Sequence, residues 1–379
     1  MSSVIRRVEV IEFDYQLTAR PGRTFHRWAI RIHTNDGVEG SYVPVWSAPP
    51  SALQQALTLA DQLIGRSIGE RELIWDQVNR TQAKIDRVGA GAIDIALWDA
   101  LGKALGAPIV DLLGRFRSRL PVYASTNGGR ATPGDDLGSP ASYADFARHC
   151  RDRRVPAYKI HGPAGGGLKD EIAVLTAVAE AVGGDMDIMT DPGKRLPTLA
   201  QALQLGRVCD EVGAYWWEDP MRDNAPFGHR ILREKVRTPL LMTEMVRGLD
   251  ARAEMALQGG TDFLRADPEL DMGITGVMKT AHFAEAIGLD VEVHAAGPAQ
   301  RHCMAAIRNT NYYELGLLHP TQGNALLPPV YGPGYDETLD AVGEDGCVAV
   351  PEGPGLGVDY DWERILGSAT ATHVSQARL

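Results

Sequence analysis

"DIMTDPGKRLPTLAQALQLGRVCDEVGAYWWEDP", residues 187–220, opens and closes with a short apolar run that stops at a carboxylate. Between the runs, "TLAQALQLGRVCDEVG" carries its apolar residues at helical spacing. The unit reads strand, helix, strand, the connection that parallel pairing requires. Its second run poses a problem. Three aromatics, Tyr215, Trp216 and Trp217, mark a buried strand, yet that strand ends in Glu218-Asp219. An unpaired carboxylate is costly to take out of water, so something nearby must want the charge.

The same rhythm extends in both directions. The apolar runs are "PVYAST", "AYKIHG", "DIMTDP", "AYWWEDP", "LLMTEM", "DFLRADP", "DVEVHAA" and "YYELGL", separated by amphipathic segments such as "LKDEIAVLTAVAEAVG" and "ITGVMKTAHFAEAIG". Eight such repeats predict an α/β fold built as a parallel (β/α)8 barrel. An open doubly wound sheet is disfavoured, because no Gly-x-Gly-x-x-Gly follows the first strand and the repeats are evenly sized. Upstream, "VIRRVEVIEF" and "RWAIRIHTNDGVEGSYVPV" alternate like strands around the turn Asn35-Asp36-Gly37. Helical segments follow, the last being "GAGAIDIALWDALGKALG", stopped by Gly106-Ala107-Pro108. Residues 1–118 thus read as an α+β cap and 119–330 as the barrel. The Gly- and Pro-rich 331–379 lacks barrel rhythm and reads as a segment returning to the cap.

The chain has 379 residues, 44% hydrophobic and 23% charged, with a formal net charge of −11. That balance argues against nucleic acid or an anionic membrane as partner. No apolar stretch reaches the length of a membrane span, and the N-terminus lacks a signal core. Cys150, Cys209, Cys303 and Cys347 show no metal or redox spacing and read as small buried hydrophobes in a cytoplasmic protein.

Charged groups close nearly every barrel run: Lys159 and His161, Asp191, Glu218, Glu244, Asp267, His294 and Glu314. From Asp191 to His294 the intervals are 27, 26, 23 and 27 residues, each near the roughly 30 that one strand–helix unit takes. These side chains should therefore form a ring at the carboxyl-terminal mouth. Asp191, Glu218 and Glu244 offer only oxygen, from three neighbouring strands, which suits a hard divalent cation, Mg2+ first. Asp219, by strand alternation, should face away. Lys159 and His161 share a face, the lysine keeping the histidine a neutral base. His294 lies opposite, with Asp267 placed to accept its ring N–H. Arg265 points inward too, either holding Asp267 ionised or forming a core ion pair. His282 and His302 read as packing residues, and His319 as a loop residue.

This ordered set resembles the enolase superfamily, and within it the mandelate racemase-like subgroup, over nearly the whole chain. The residues that carry it are 91–114 ("GAIDIALWDALGKALGAPIVDLLG"), the three acids, Asp267 with His294, and 273–297 ("GITGVMKTAHFAEAIGLDVEVHAAG"). The resemblance implies Mg2+ on the three acids, a carboxylate substrate, and removal of the proton α to that carboxylate. It implies an acid-sugar dehydratase that works as a homo-oligomer, with His161 as base and His294, backed by Asp267, as acid. A racemase, epimerase or cycloisomerase is the alternative through the same intermediate. Three departures stand out. Lys159-Ile160-His161 replaces the usual Lys-x-Lys, Gly193 stands where relatives place a polar side chain, and Thr243 stands where Gly is common. Glu314 is a candidate to meet the substrate carboxylate. By analogy, the cap loops 18–28 and 43–51 set specificity, making Arg20, Arg23, His26 and Trp46 candidate substrate contacts, with Gly22 as a hinge.

Overall fold

The computed structural model describes residues 3–17, 22–46, 50–128, 137–193, 196–222, 225–321, 323–324 and 327–377. Three strands open the chain: β1 (Ile5–Gln16), β2 (Thr24–Thr34) and β3 (Glu39–Tyr42). Helices α1 (Pro50–Leu63), α2 (Arg71–Thr81), α3 (Ala90–Leu105) and α4 (Ile109–Leu113) follow. Then come β4 (Arg119–Thr126), α5 (Pro140–Asp152), β5 (Ala157–Ile160), α6 (Leu168–Val182), β6 (Asp187–Thr190) and α7 (Leu199–Val212). The alternation continues with β7 (Trp216–Glu218), α8 (Pro226–Arg233), β8 (Leu240–Met242), α9 (Leu249–Leu257), β9 (Phe263–Ala266) and α10 (Gly273–Ala286). It ends with β10 (Asp290–Val293), α11 (Pro298–Ala306) and β11 (Tyr313–His319). The tail holds β12 (Gly323–Asn324), β13 (Cys347–Ala349), α12 (Trp362–Gly367) and β14 (Ala369–Gln376).

The eight expected runs form one sheet of parallel strands in the order β10-β9-β8-β7-β6-β5-β4-β11. Between β10 and β11 no ladder appears among the described residues. That seam is bridged instead by Ala295 N–H to Glu314 Oε2 at 2.8 Å and Asn311 Nδ2 to Glu292 Oε1 at 2.9 Å. The cap is an antiparallel sheet ordered β14-β1-β2-β3, so the chain's last strand pairs with its first. Helix α3 packs between the cap strands β2 and β3 and helix α10, and its small residues admit close backbones. A Cβ on Gly91 would lie 2.1 Å from the Glu269 carbonyl oxygen, and one on Gly102 would lie 2.5 Å from Gly355 Cα. Of the four cysteines, none bonded to another, Cys150, Cys209 and Cys303 are buried. No described helix is long and apolar enough to cross a membrane.

His302 packs in the core, as its pattern suggests. Its Nδ1 accepts from Val110 N–H at 3.2 Å and its Nε2 donates to the Leu356 carbonyl at 3.0 Å. A second ring proton would point at an N–H, and burial pushes the imidazole down to about 4. The unfolded chain, with an ordinary value near 6.5, takes up the proton first. The stability contributed by the neutral ring is therefore complete above about pH 6.5 and is lost as pH falls toward 4, on the order of 3 kcal/mol in all. Buried Asp94 and Glu292, pushed up to about 6 and 7, bend the curve the other way. Urea unfolding of wild type and His302→Gln in parallel isolates the histidine: the gap between them should close between pH 6.5 and 4.

Candidate active site

Strand β7 answers the question its sequence poses. Trp216 and Glu218 face the inside of the parallel sheet, while Trp217 packs outward in the main core. Trp216 meets Tyr123 edge-on at 5.7 Å, and together they form an aromatic floor. Two fully buried cations stand on that floor. Lys159 Nζ lies 5.4 Å from the Tyr123 ring centre and 5.9 Å from that of Trp216, and the Arg265 guanidinium lies 5.5 Å from the latter. Ring faces favour cations at such distances, which offsets part of the cost of burying them.

The carboxylates sit directly above. Lys159 Nζ is 2.9 Å from Glu218 Oε2, 2.9 Å from Glu314 Oε1 and 3.7 Å from Asp191 Oδ2. Arg265 Nε donates to Glu218 Oε1 at 2.6 Å, so its partner is Glu218 rather than Asp267. Glu314 also accepts the Ala295 N–H, and Lys159 and Arg265 hold its buried carboxyl well below the usual range. As placed, Glu314 accepts protons' bonds and has none to give.

His161 follows the end of β5. Its Nδ1 lies 2.8 Å from the Thr126 carbonyl and its Nε2 lies 3.0 Å from Asp191 Oδ2. Opposite it, His294 Nδ1 donates to Asp267 Oδ2 at 2.6 Å, and its Nε2 lies 3.9 Å from Glu244 Oε1. Burial works against a charged His294, yet Glu244 and Asp267 outweigh it and lift the imidazole to about 9. A cavity of about 400 Å3 joins the two histidines, lined also by Asp191, Glu244, Glu314 and Trp46.

Three placements correct the reading from sequence. Asp219 lines this cavity too, because its backbone turns left-handed (φ 40°) and breaks strand alternation. His26 does not reach it: Nδ1 meets Asp14 at 2.8 Å and Nε2 meets Glu12 at 3.0 Å, all on the exposed side of the cap sheet. Arg23 instead lies 4.8 Å over the Phe25 ring. Arg20 lies outside the described residues. Trp46 lines the cavity, with its ring centre 5.5 Å from that of His294.

Comparison with known proteins places this geometry. Residues 142–364 match the model for the enolase C-terminal domain-like family, and residues 16–114 match that for the mandelate racemase/muconate lactonizing enzyme N-terminal domain. The chain belongs to the enolase superfamily. D-gluconate dehydratase of Thermoproteus tenax is 29% identical over 368 residues, which are 90% of this chain and 70% of that protein. L-rhamnonate dehydratase of Saccharopolyspora erythraea is 29% identical over 342 residues, covering 87% and 82%. Among solved structures, D-glucarate dehydratase from Agrobacterium tumefaciens complexed with magnesium superposes with a TM-score of 0.87 at 28% identity, covering 98% of this chain and all of that one.

The superfamily's metal chemistry can be tested against these side chains. Asp191, Glu218 and Glu244 each offer an oxygen within 4.8 Å of the others, a separation that a shared ion would draw in. Two fixed cations, Lys159 and Arg265, face four carboxylates, Asp191, Glu218, Glu244 and Glu314. Acids outnumber these two cations, a surplus that a bound cation would offset. Glu244 shows it most: burial, with Glu218 and Asp191 nearby, pushes its carboxyl up against the pull of His294. The donor set fits a hard dication.

Sequence reading passed over Glu269. It accepts from the Tyr42 hydroxyl at 2.7 Å, Val45 N–H at 2.8 Å and Trp46 N–H at 2.6 Å, while its own N–H donates to Asp267 Oδ1 at 2.7 Å. One buried carboxylate thus ties the cap segment bearing Trp46 to the His294–Asp267 pair. The only signal for it is an acid two residues after Asp267. Glu269→Ala should orphan three donors, the two buried ones, Tyr42 and Val45, at about 1–3 kcal/mol each. Urea unfolding should show that loss, and kinetics should show KM rising more than kcat falls, because the lip of the cavity loosens while the ring stays.

Proposed function

We propose that this chain is a Mg2+-dependent acid-sugar dehydratase. The reading rests on one arrangement: His161 Nε2 and the Asp267-supported His294 both line a single cavity, with the acid triad between them. Asp191, Glu218 and Glu244 would hold the ion, which when bound supplies positive charge to a substrate carboxylate. A proton α to a carboxylate is otherwise too weakly acidic for a side-chain base.

The chain's own residues divide the remaining work. Thr126 fixes the His161 ring so that Nε2 meets the α-proton. Lys159 and Arg265 hold Glu218 and Glu314 rigid beneath the substrate. His294 holds a proton at Nε2, ready for a hydroxyl on the β-carbon, and Asp267 stabilises the charge that makes it a donor. Proton removal gives an enediolate, loss of water gives an enol, and the enol becomes a 2-keto-3-deoxy acid. Trp46 covers the site from the cap. The ligand is a small-molecule carboxylate.

A second reading has a specific basis. D-galactarolactone cycloisomerase of Agrobacterium fabrum is 27% identical over 348 residues, 88% of each chain, and two groups facing each other across an enediolate also suit an isomerase. Incubating mono- and diacid sugars with the enzyme and Mg2+ in D2O separates the two. Accumulation of 2-keto acid supports dehydration. Deuterium at the α-carbon with no loss of water would move the assignment to an isomerase.

A further inference from the structure

A second cavity, of about 720 Å3, lies where cap helix α2 meets α9 and α10, and it shares no lining residue with the catalytic one. Its volume is that of a small-molecule site. In a chain of net charge −11 its wall is cationic: Arg80, Arg87, Arg247, Arg252 and Lys279 against Asp250 and Asp271. Three of these cations are already matched, Arg80 by Asp76, Lys279 by Glu72 and Arg252 by Asp271. Among the described residues, Arg87 and Arg247 hydrogen-bond to neutral groups. Arg87 Nη2 donates to the Asn79 carbonyl at 3.4 Å and Arg247 Nη1 to the Glu244 carbonyl at 2.6 Å, while Asp271, 3.7 Å from Arg247, is spent on Arg252. Donors in the wall also lack acceptors among the described residues: Arg87 Nε, Trp75 Nε1 and Nε of Arg252, a residue only 1% exposed. Buried donors left unmatched beside surplus positive charge are the mark of a missing anion.

The back wall of this cavity is the support of the catalytic ring. Arg247 and Arg252 hold the carbonyls of Glu244 and Thr243, at 2.6 and 3.4 Å. Asp271, the partner of Arg252, accepts the Asp267 N–H at 2.7 Å. Thr243 is itself held at φ 91°, a conformation that costs a β-branched residue energy. We propose that this cavity binds a small organic oxyanion, a phosphate ester or a polycarboxylate, and that the bound anion tightens residues 243–252 behind Glu244. Arg87 supplies the fork from the cap and Arg247 from the parallel-sheet side, so the ligand would also pin cap to barrel.

Calorimetric titration of inorganic phosphate into the full chain tests this, with hydrogen–deuterium exchange read alongside. Wild type should bind phosphate and gain protection in 243–252. Arg87→Gln should bind it roughly tenfold more weakly or worse, gain no protection, and keep its phosphate-free activity. Arg87→Lys, which keeps the charge and loses the fork, should fall between. Succinate as a second probe distinguishes the source: binding of phosphate alone points to phosphate esters, and binding of both points to carboxylates as well. Absence of binding at millimolar phosphate, or binding that survives Arg87→Gln and disappears in His161→Asn, would overturn the proposal. The titration reads no turnover, so its failure leaves the dehydratase reading standing.

Discussion

His161→Asn is expected to abolish measurable dehydration, with kcat lowered by about 10^2–10^4. The substitution keeps a side-chain donor for the Thr126 carbonyl and removes only the basic nitrogen 3.0 Å from Asp191. Mg2+ binding should therefore survive, because all three acids remain. His294→Asn should slow turnover as much but fail differently. Without the proton held through the 2.6 Å bond to Asp267, the β-hydroxyl has no donor. The enediolate can still form, so His294→Asn should exchange the α-hydrogen with D2O while releasing no 2-keto acid, and His161→Asn should do neither. The reverse pattern would exchange the two roles.

Lys159→Met should produce the largest loss of stability among single substitutions in the site. Lys159 is 1% exposed and 2.9 Å from both Glu218 and Glu314. Removing it leaves two buried carboxylates to share Arg265. Breaking a buried pair in this way costs about 3–5 kcal/mol. Urea titration should show the midpoint falling with an unchanged slope. Two further results would tie the loss to charge rather than packing. Glu314→Gln in the Lys159→Met background should restore part of it, and Mg2+ should stabilise the variant more than wild type, because the deficit it fills has grown. If neither holds, the lysine acts as a packing element of the aromatic floor.

The ring of charges was legible because strand alternation and a near-constant repeat length are local properties. They place Lys159 with His161 and Arg265 with Asp267 without knowledge of the tertiary fold. What could not be read depends on backbone detail or distant contact. Asp219 escapes alternation through a left-handed turn that no residue type announces. Thr243 tolerates φ 91° because its hydroxyl both donates to the Arg265 carbonyl at 3.0 Å and accepts the Arg265 N–H at 3.1 Å, standing in for the strand ladder. Arg265 chooses Glu218, 47 residues away, over its sequence neighbour. Glu269 is defined by partners more than 220 residues distant. His26 went astray because an alternating cap strand does not say which face the rest of the chain covers.

The central claim is that Asp191, Glu218 and Glu244 share one divalent cation between His161 and His294. Anomalous diffraction from a crystal soaked in Mn2+, as a heavier stand-in for Mg2+, tests it directly. The account predicts a single strong peak about 2.0–2.3 Å from one oxygen of each acid, with Lys159 and Arg265 still on Glu218. A crystal that shows no peak there, or an ion bound while one of the three carboxylates remains out of reach, would contradict it.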